Sequence, residues 1–204
     1  MSEKNTRSIH ASLYHKGVAS SCGVNAAGRG PLAGPVCAAA VILPRDLVIP
    51  GLDDSKKLTD KRRRELMPII KEQAIAWGIG MASHEEIDEI NILQATFLAM
   101  ERALAQLQVK PGIALIDGNR EKDFGLPVKT VVKGDSLSAN IAAASVLAKV
   151  TRDELMEAMA AEYPQYGFEI HKGYGTKAHY AALTEHGACA IHRRSFLKKF
   201  YGQA

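Results

Sequence analysis

The stretch Gly23-Val24-Asn25-Ala26-Ala27-Gly28-Arg29-Gly30-Pro31-Leu32-Ala33-Gly34-Pro35 decides how the rest of the chain is read. It follows one apolar run, Val18 to Val24, and precedes a second, Val36 to Leu43. Glycines and prolines at this density resist both a helix and a paired strand, so the stretch reads as a tight connection between two strands. Glycine at such a bend lets backbone N–H groups approach a ligand that a Cβ would hold off, and Arg29 adds a cation suited to phosphate. A plain β-turn is the competing reading of a lone Gly-x-Gly. A dinucleotide-binding turn is excluded, because that turn opens a helix and Pro35 to Pro44 reads as a buried strand.

The 204 residues are enough for one domain with an ample core, and 47% hydrophobic with 24% charged residues is the balance of a globular protein. A net charge of +4 permits a polyanionic partner without demanding one. Cys22, Cys37 and Cys189 form no C-x-x-C pair, which points to reduced core thiols rather than a disulfide framework or a zinc site. The N-terminus lacks an apolar targeting core and no apolar run reaches membrane-spanning length, so a cytoplasmic protein with no membrane contact is expected. Nothing in the sequence suggests an obligate protein partner.

Along the chain, residues 1–16 read as a polar N-terminal segment and 17–204 as a single domain. Strands are expected around 18–24 and 36–44. Thr59 or Asp60 caps a helix running to about Ile75, with Arg62, Arg63 and Arg64 on its wet side. Ala76 to Ala82 is a strand. Ser83 with Glu86 has the spacing of a capping box, and Ile87, Ile90, Leu93, Phe97, Met100, Leu104 and Leu107 then form one apolar stripe. Gly112 to Asp117 and Pro127 to Lys133 are further strands, and the small residues Ile141-Ala142-Ala143-Ala144-Ser145 imply a helix packed very close to the sheet. From about 151 the chain reads as a helical region ending in the basic run His192 to Lys199. The whole predicts an α/β fold, a mixed β-sheet flanked by helices with a helical C-terminal segment.

Asp117 ends a buried strand and Asp135 follows the next. Singly, each reads as a turn or capping residue. Together with position 25, also at a strand end, they form a set of hard oxygen ligands suited to Mg²⁺ or Mn²⁺ and to phosphodiester hydrolysis. Lys56, Lys57, Arg193 and Arg194 are candidates for phosphate contact. His171, His179, His186 and His192 have no regular ligand spacing, and Asp153 reads as a surface helix residue.

Several of these segments, in order, resemble the signature of ribonuclease HII, the type 2 ribonucleases H. The matching segments are Ala27-Gly28-Arg29-Gly30-Pro31-Leu32-Ala33-Gly34-Pro35, Asp54-Ser55-Lys56-Lys57-Leu58, Ile116-Asp117-Gly118-Asn119, Lys133-Gly134-Asp135-Ser136 with Ile141 to Asp153, His171-Lys172-Gly173-Tyr174-Gly175-Thr176, and His192-Arg193-Arg194-Ser195-Phe196. The resemblance covers roughly residues 18–196 and implies a ribonuclease H-like sheet. It also implies catalytic metal positions at 25, 26, 117 and 135. The Gly28-Arg29-Gly30 backbone is implied to meet a ribose 2′-hydroxyl, and Tyr174 to pack at the RNA–DNA junction, with Lys56 beside the substrate. The implied partners are RNA–DNA hybrids and DNA containing ribonucleotides.

One departure matters. Where the family carries Asp-Glu, this chain carries Asn25-Ala26. Asn25 keeps the shape of aspartate without its charge, and Ala26 removes a ligand outright. An inactive or nearly inactive chain with an intact substrate groove is therefore expected, and the near-isosteric Asn25 beside a truncated Ala26 has the form of a deliberate inactivation. A natural non-catalytic hybrid-binding protein is the alternative, and a metal-dependent nuclease for another substrate a third reading.

Overall fold

A computed structural model describes residues 20–202; the expected N-terminal segment 1–16 lies outside the described residues. Five strands, β1 (Ser21–Ala27), β2 (Val36–Ile42), β3 (Ala76–Ala82), β4 (Ile113–Asp117) and β5 (Val128–Val131), form one mixed sheet in the order β3-β2-β1-β4-β5. The first three are antiparallel neighbours, whereas β4 runs parallel to both β1 and β5. This is the ribonuclease H-like α/β sheet expected from the sequence. The change from hairpin to parallel pairing puts the C-terminal ends of β1, β4 and β5 side by side.

Strand β2 is buried along its whole length because both faces of the sheet are covered. Val36, Ala38, Ala40 and Ile42 meet Ile87, Phe97 and Met100 of helix α2 (His84–Ala105). On the opposite face Cys37, Ala39 and Val41 meet Leu66 and Ile70 of α1 (Asp60–Gln73), together with the small residues of α4 (Ala139–Glu162). The predicted close approach is present: a Cβ on Gly23 would lie 2.2 Å from the Asn140 backbone of α4. Asn140 completes the seam, donating to the Ser21 carbonyl at 2.7 Å and accepting from the Leu43 N–H at 3.3 Å.

Both expected caps form. Thr59 accepts from the Arg62 N–H, and Ser83 and Glu86 make a reciprocal capping box. The apolar stripe is not carried by one unbroken helix, however. Asn91 adopts φ 66° and its side chain accepts from the Leu93 and Gln94 N–H groups, so it restarts α2 in mid-course. The first strand also differs from expectation, starting at Ser21 and reaching Ala27. Gly23 to Ala27 are therefore paired strand, and only Gly28 to Pro35 make the connection. Central position explains this: β1 has partners on both sides, which outweighs the weak strand propensity of Gly, Asn and Ala.

Two surface assignments fail. Arg63 donates to the Ser55 and Leu58 carbonyls, and Arg64 pairs with Asp60 and Glu157. Arg63 is thus turned in toward the loop and Arg64 reaches α4, while Arg62 stays on the wet side and pairs with Glu65. Asp153 is buried on α4, where it pairs with Lys149 at 2.7 Å.

After α4 come a 3₁₀ turn (Pro164–Tyr166) and the short helices α5 (Phe168–His171), α6 (Lys177–His186) and α7 (Arg194–Leu197); a one-turn helix α3 (Gly134–Leu137) precedes α4. The C-terminal helices gather around Tyr166, Phe168, Leu183 and Leu197, and into this cluster the connection inserts Leu32 and Ala33. Backbone bonds clamp it there: Leu32 N–H to the Gly173 carbonyl, Gly34 N–H to the Ile191 carbonyl, and Arg193 N–H to the Leu32 carbonyl.

Candidate active site

Parallel pairing sets Val24 opposite Ile116, which brings the next residues, Asn25 and Asp117, together at the sheet's end. The Asn25 carboxamide donates to Asp117 Oδ2 at 3.1 Å, while Asp117 Oδ1 accepts from the Gly134 N–H at 2.9 Å. Asp135 sits on α3, just after β5. Lys133, at φ 56°, turns the chain into that helix. Burial, then the Asp117 and Asp54 carboxylates, push the Asp135 carboxyl up to about 6, opposed by Lys56. Asn25, Asp117 and Asp135 thus share one pocket, beside the loop that carries Asp54 and Lys56. Ala26 is the next residue on β1, half-buried against the α2 face of the sheet.

Asp54 is the member that sequence reading passed over. It lay inside the Asp-Ser-Lys-Lys-Leu segment, but only the fold brings this loop to Asp135. The loop is held by its own contacts: Asp54 Oδ1 accepts from the Lys56 N–H, and the Ser55 N–H reaches the Ser145 hydroxyl of α4.

Across the pocket, Gly28 to Gly30 turn at the exposed rim. Gly28 is buried at φ 87°, and a Cβ there would lie 2.0 Å from the Arg152 Nε, so only glycine serves. Arg29 and Gly30 are exposed. Gly30 lies beside Tyr174: a Cβ on it would be 3.8 Å from the ring. The Tyr174 ring is partly exposed, with the Lys149 ammonium and the Arg152 guanidinium each 5.9 Å from its centroid. Lys56 is exposed on the facing loop. Of the residues singled out from sequence, Asn25 meets Asp117, Asp135 lies near Asp117 and Lys56, and Gly30 lies beside Tyr174.

Two arginines near the turn face inward. Arg193, read as a phosphate contact, is fully buried and donates to the carbonyls of Gly28 at 2.7 Å, Arg29 at 3.1 Å and Gly34 at 2.9 Å. Arg152 is likewise buried and donates to Pro35, Lys172 and Ala33 carbonyls. Inward-facing carbonyls, a feature of tertiary folding, claim both guanidinium groups. The histidines are also placed by the C-terminal packing. The Cys189 N–H reaches His192 Nδ1 at 3.0 Å, so His192 Nε2 donates to His179 Nε2 at 3.0 Å, and His179 Nδ1 donates to the Tyr174 carbonyl at 2.9 Å. Burial keeps both rings neutral, drawing His192 down to about 4. This run of bonds ends on the backbone of Tyr174.

The four-position metal set that the resemblance implies does not fit the residues present. Two of the four positions retain carboxylates, each Asp117 oxygen already accepts an N–H, and among the described residues no group of three or more His, Cys, Asp or Glu is arranged to hold an ion. An aspartate at 25 would face Asp117 as a like charge, which a shared proton or a cation would relieve. Asn25 bridges the same gap with a hydrogen bond.

Comparison with known proteins identifies the family. A family model described as Ribonuclease HII matches residues 22–199. The ribonuclease HII of Dechloromonas aromatica is 59% identical over 175 residues, covering 86% of this chain and 89% of that protein. The ribonuclease HII of Vibrio vulnificus is 50% identical over 204 residues, covering 99% of each. Among solved structures, the ribonuclease H2 of Pyrococcus horikoshii superposes with a TM-score of 0.74 at 26% identity, covering 90% of this chain and 97% of that one. A family model matching residues 22–199 and relatives at 50–59% identity over most of both chains place this chain in the ribonuclease HII family.

Proposed function

We propose that this chain is a ribonuclease HII whose substrate groove is intact and whose hydrolytic centre is disabled. Family membership makes the parent activity hydrolysis of the RNA strand in RNA–DNA hybrids. The finer reading is incision beside ribonucleotides embedded in duplex DNA, with Mg²⁺ or Mn²⁺ as cofactor and 3′-hydroxyl and 5′-phosphate ends as products. In that reading residues 25, 26, 117 and 135 are the metal positions. Gly28, Arg29 and Gly30 meet the ribose 2′-hydroxyl, Tyr174 packs on the sugar or base at the junction, and Lys56 supports the phosphates.

The observation that carries the loss of activity is the Asn25 to Asp117 hydrogen bond. Where two carboxylates would share a cation, an uncharged amide satisfies Asp117 directly, and Ala26 offers no oxygen at all. The test is cleavage of a duplex bearing one ribonucleotide, with Mn²⁺ present. This chain leaves it uncut and the Asn25→Asp/Ala26→Glu double variant cuts it. A double variant that binds but stays inert assigns the chain to the non-catalytic hybrid-binding reading. Cleavage of an all-DNA duplex at an equal rate assigns it to a different nuclease class.

A further inference from the structure

In a trans peptide the carbonyl and the following N–H point in opposite directions, and among the described residues every peptide is trans. Arg193 draws the Gly28 and Arg29 carbonyls inward, onto its two terminal nitrogens. The Arg29 and Gly30 N–H groups must then face outward. Both residues are exposed, and neither N–H finds an acceptor among the described residues. Two adjacent outward donors beside the Tyr174 ring make a seat for a single oxygen atom. A sugar hydroxyl suits it, since it accepts from the seat and keeps its proton for another acceptor.

We propose that Arg193 is a positioning residue for ribose recognition: by holding two carbonyls of the glycine turn inside the protein, it aims the Arg29 and Gly30 N–H groups at the sugar hydroxyl. The inference rests on the substrate reading above and deepens it. Arg193 reaches no phosphate in this role. Among the described residues it has no carboxylate in hydrogen-bond contact, and its charge is spread over the Gly28, Arg29 and Gly34 carbonyls. Arg152 occupies the other side of the turn and holds Ala33, Pro35 and Lys172, so the two guanidinium groups divide the work. Arg193 sets the donor pair, and Arg152 ties the turn to the Tyr174 loop.

The experiment measures binding of this chain and of Arg193→Lys to two duplexes of one sequence, all-DNA and with one ribonucleotide, across a salt series. The expected result for Arg193→Lys is a loss of about tenfold in preference for the ribonucleotide, the scale of one or two hydrogen bonds, with the salt slope unchanged. An unchanged preference overturns the proposal, and so does a salt slope lower by about one, the mark of a lost phosphate contact. If the unsubstituted chain itself shows no preference, the substrate reading has failed instead. Should Arg193→Lys not fold, the unsubstituted chain decides by NMR. The Arg29 and Gly30 amide protons shift on binding the ribonucleotide duplex but not the all-DNA one, and equal movement with both, or none, overturns the assignment.

Discussion

The glycine turn and the carboxylate pocket lie side by side, yet they treat polar groups in opposite ways. Beneath the turn, two buried guanidinium groups each find three carbonyls, one for every nitrogen. In the pocket, Asp135 is buried beside Asp117 and Asp54 and bears their repulsion. The first pattern is that of a scaffold, whose polar groups are complete before a ligand arrives. The second is that of a site built for a counter-charge from outside. Asn25 moves one corner of the pocket toward the scaffold pattern, closing with a hydrogen bond what a cation would otherwise join.

The sharpest way to break this contrast is to restore the acids. Asn25→Asp/Ala26→Glu should raise cleavage of a ribonucleotide-bearing duplex by about a thousandfold or more, given that metal assistance is worth several kcal/mol. The same variant should melt lower than the present chain in EDTA and recover with Mn²⁺, while the present chain is indifferent to the ion. Equal response of both chains would erase the distinction drawn for the pocket.

On the scaffold side, Arg152→Met leaves three inward carbonyls without donors. Urea unfolding should show a loss of about 3–5 kcal/mol, as for a broken buried charged network. A loss under about 1 kcal/mol would mean that water replaces the guanidinium, and that the turn is less complete than its bonds suggest.

Asp135 gives the pocket's counterpart, and its sign is opposite. A carboxyl raised to about 6 favours the folded state at low pH, and that contribution is lost as pH rises through about 6. Asp135→Asn should therefore stabilise the protein at pH 8, on the order of 1–2 kcal/mol, with the gain fading as pH falls toward 4. Thermal melting across that range reads it directly, and a pH-independent difference would contradict the repulsion. The smallest effect belongs to the rim. Lys56→Ala should weaken binding of both duplexes by about threefold and lower the salt slope by about one.

Much of the fold was legible because local signals agreed with tertiary demand. The capping residues Thr59 and Ser83, the strand Ala76 to Ala82, and the small-residue face of α4 all formed as read. The end of β1 misled, since Gly23 and Asn25 to Ala27 have weak strand propensity. Two-sided pairing and the need for closeness at Asn140 made them strand. Asn91 broke a helix that the apolar stripe showed as continuous, because a side-chain cap is invisible to periodicity. The motifs named Asn25, Asp117 and Tyr174 as candidates, but the approach of Asp54 to Asp135 and the inward turn of Arg193 could not be told apart from a loop acid and a basic run.

The order of residue types along the chain, then, determined which family this protein belongs to, and it fixes that positions 25 and 26 carry no carboxylate. Which polar groups serve the ligand and which serve the protein was decided only in three dimensions. A guanidinium has the same donors wherever it stands in sequence, and its role depends on whether the acceptors it meets belong to a phosphate or, as for Arg193 and Arg152, to the backbone of a distant turn.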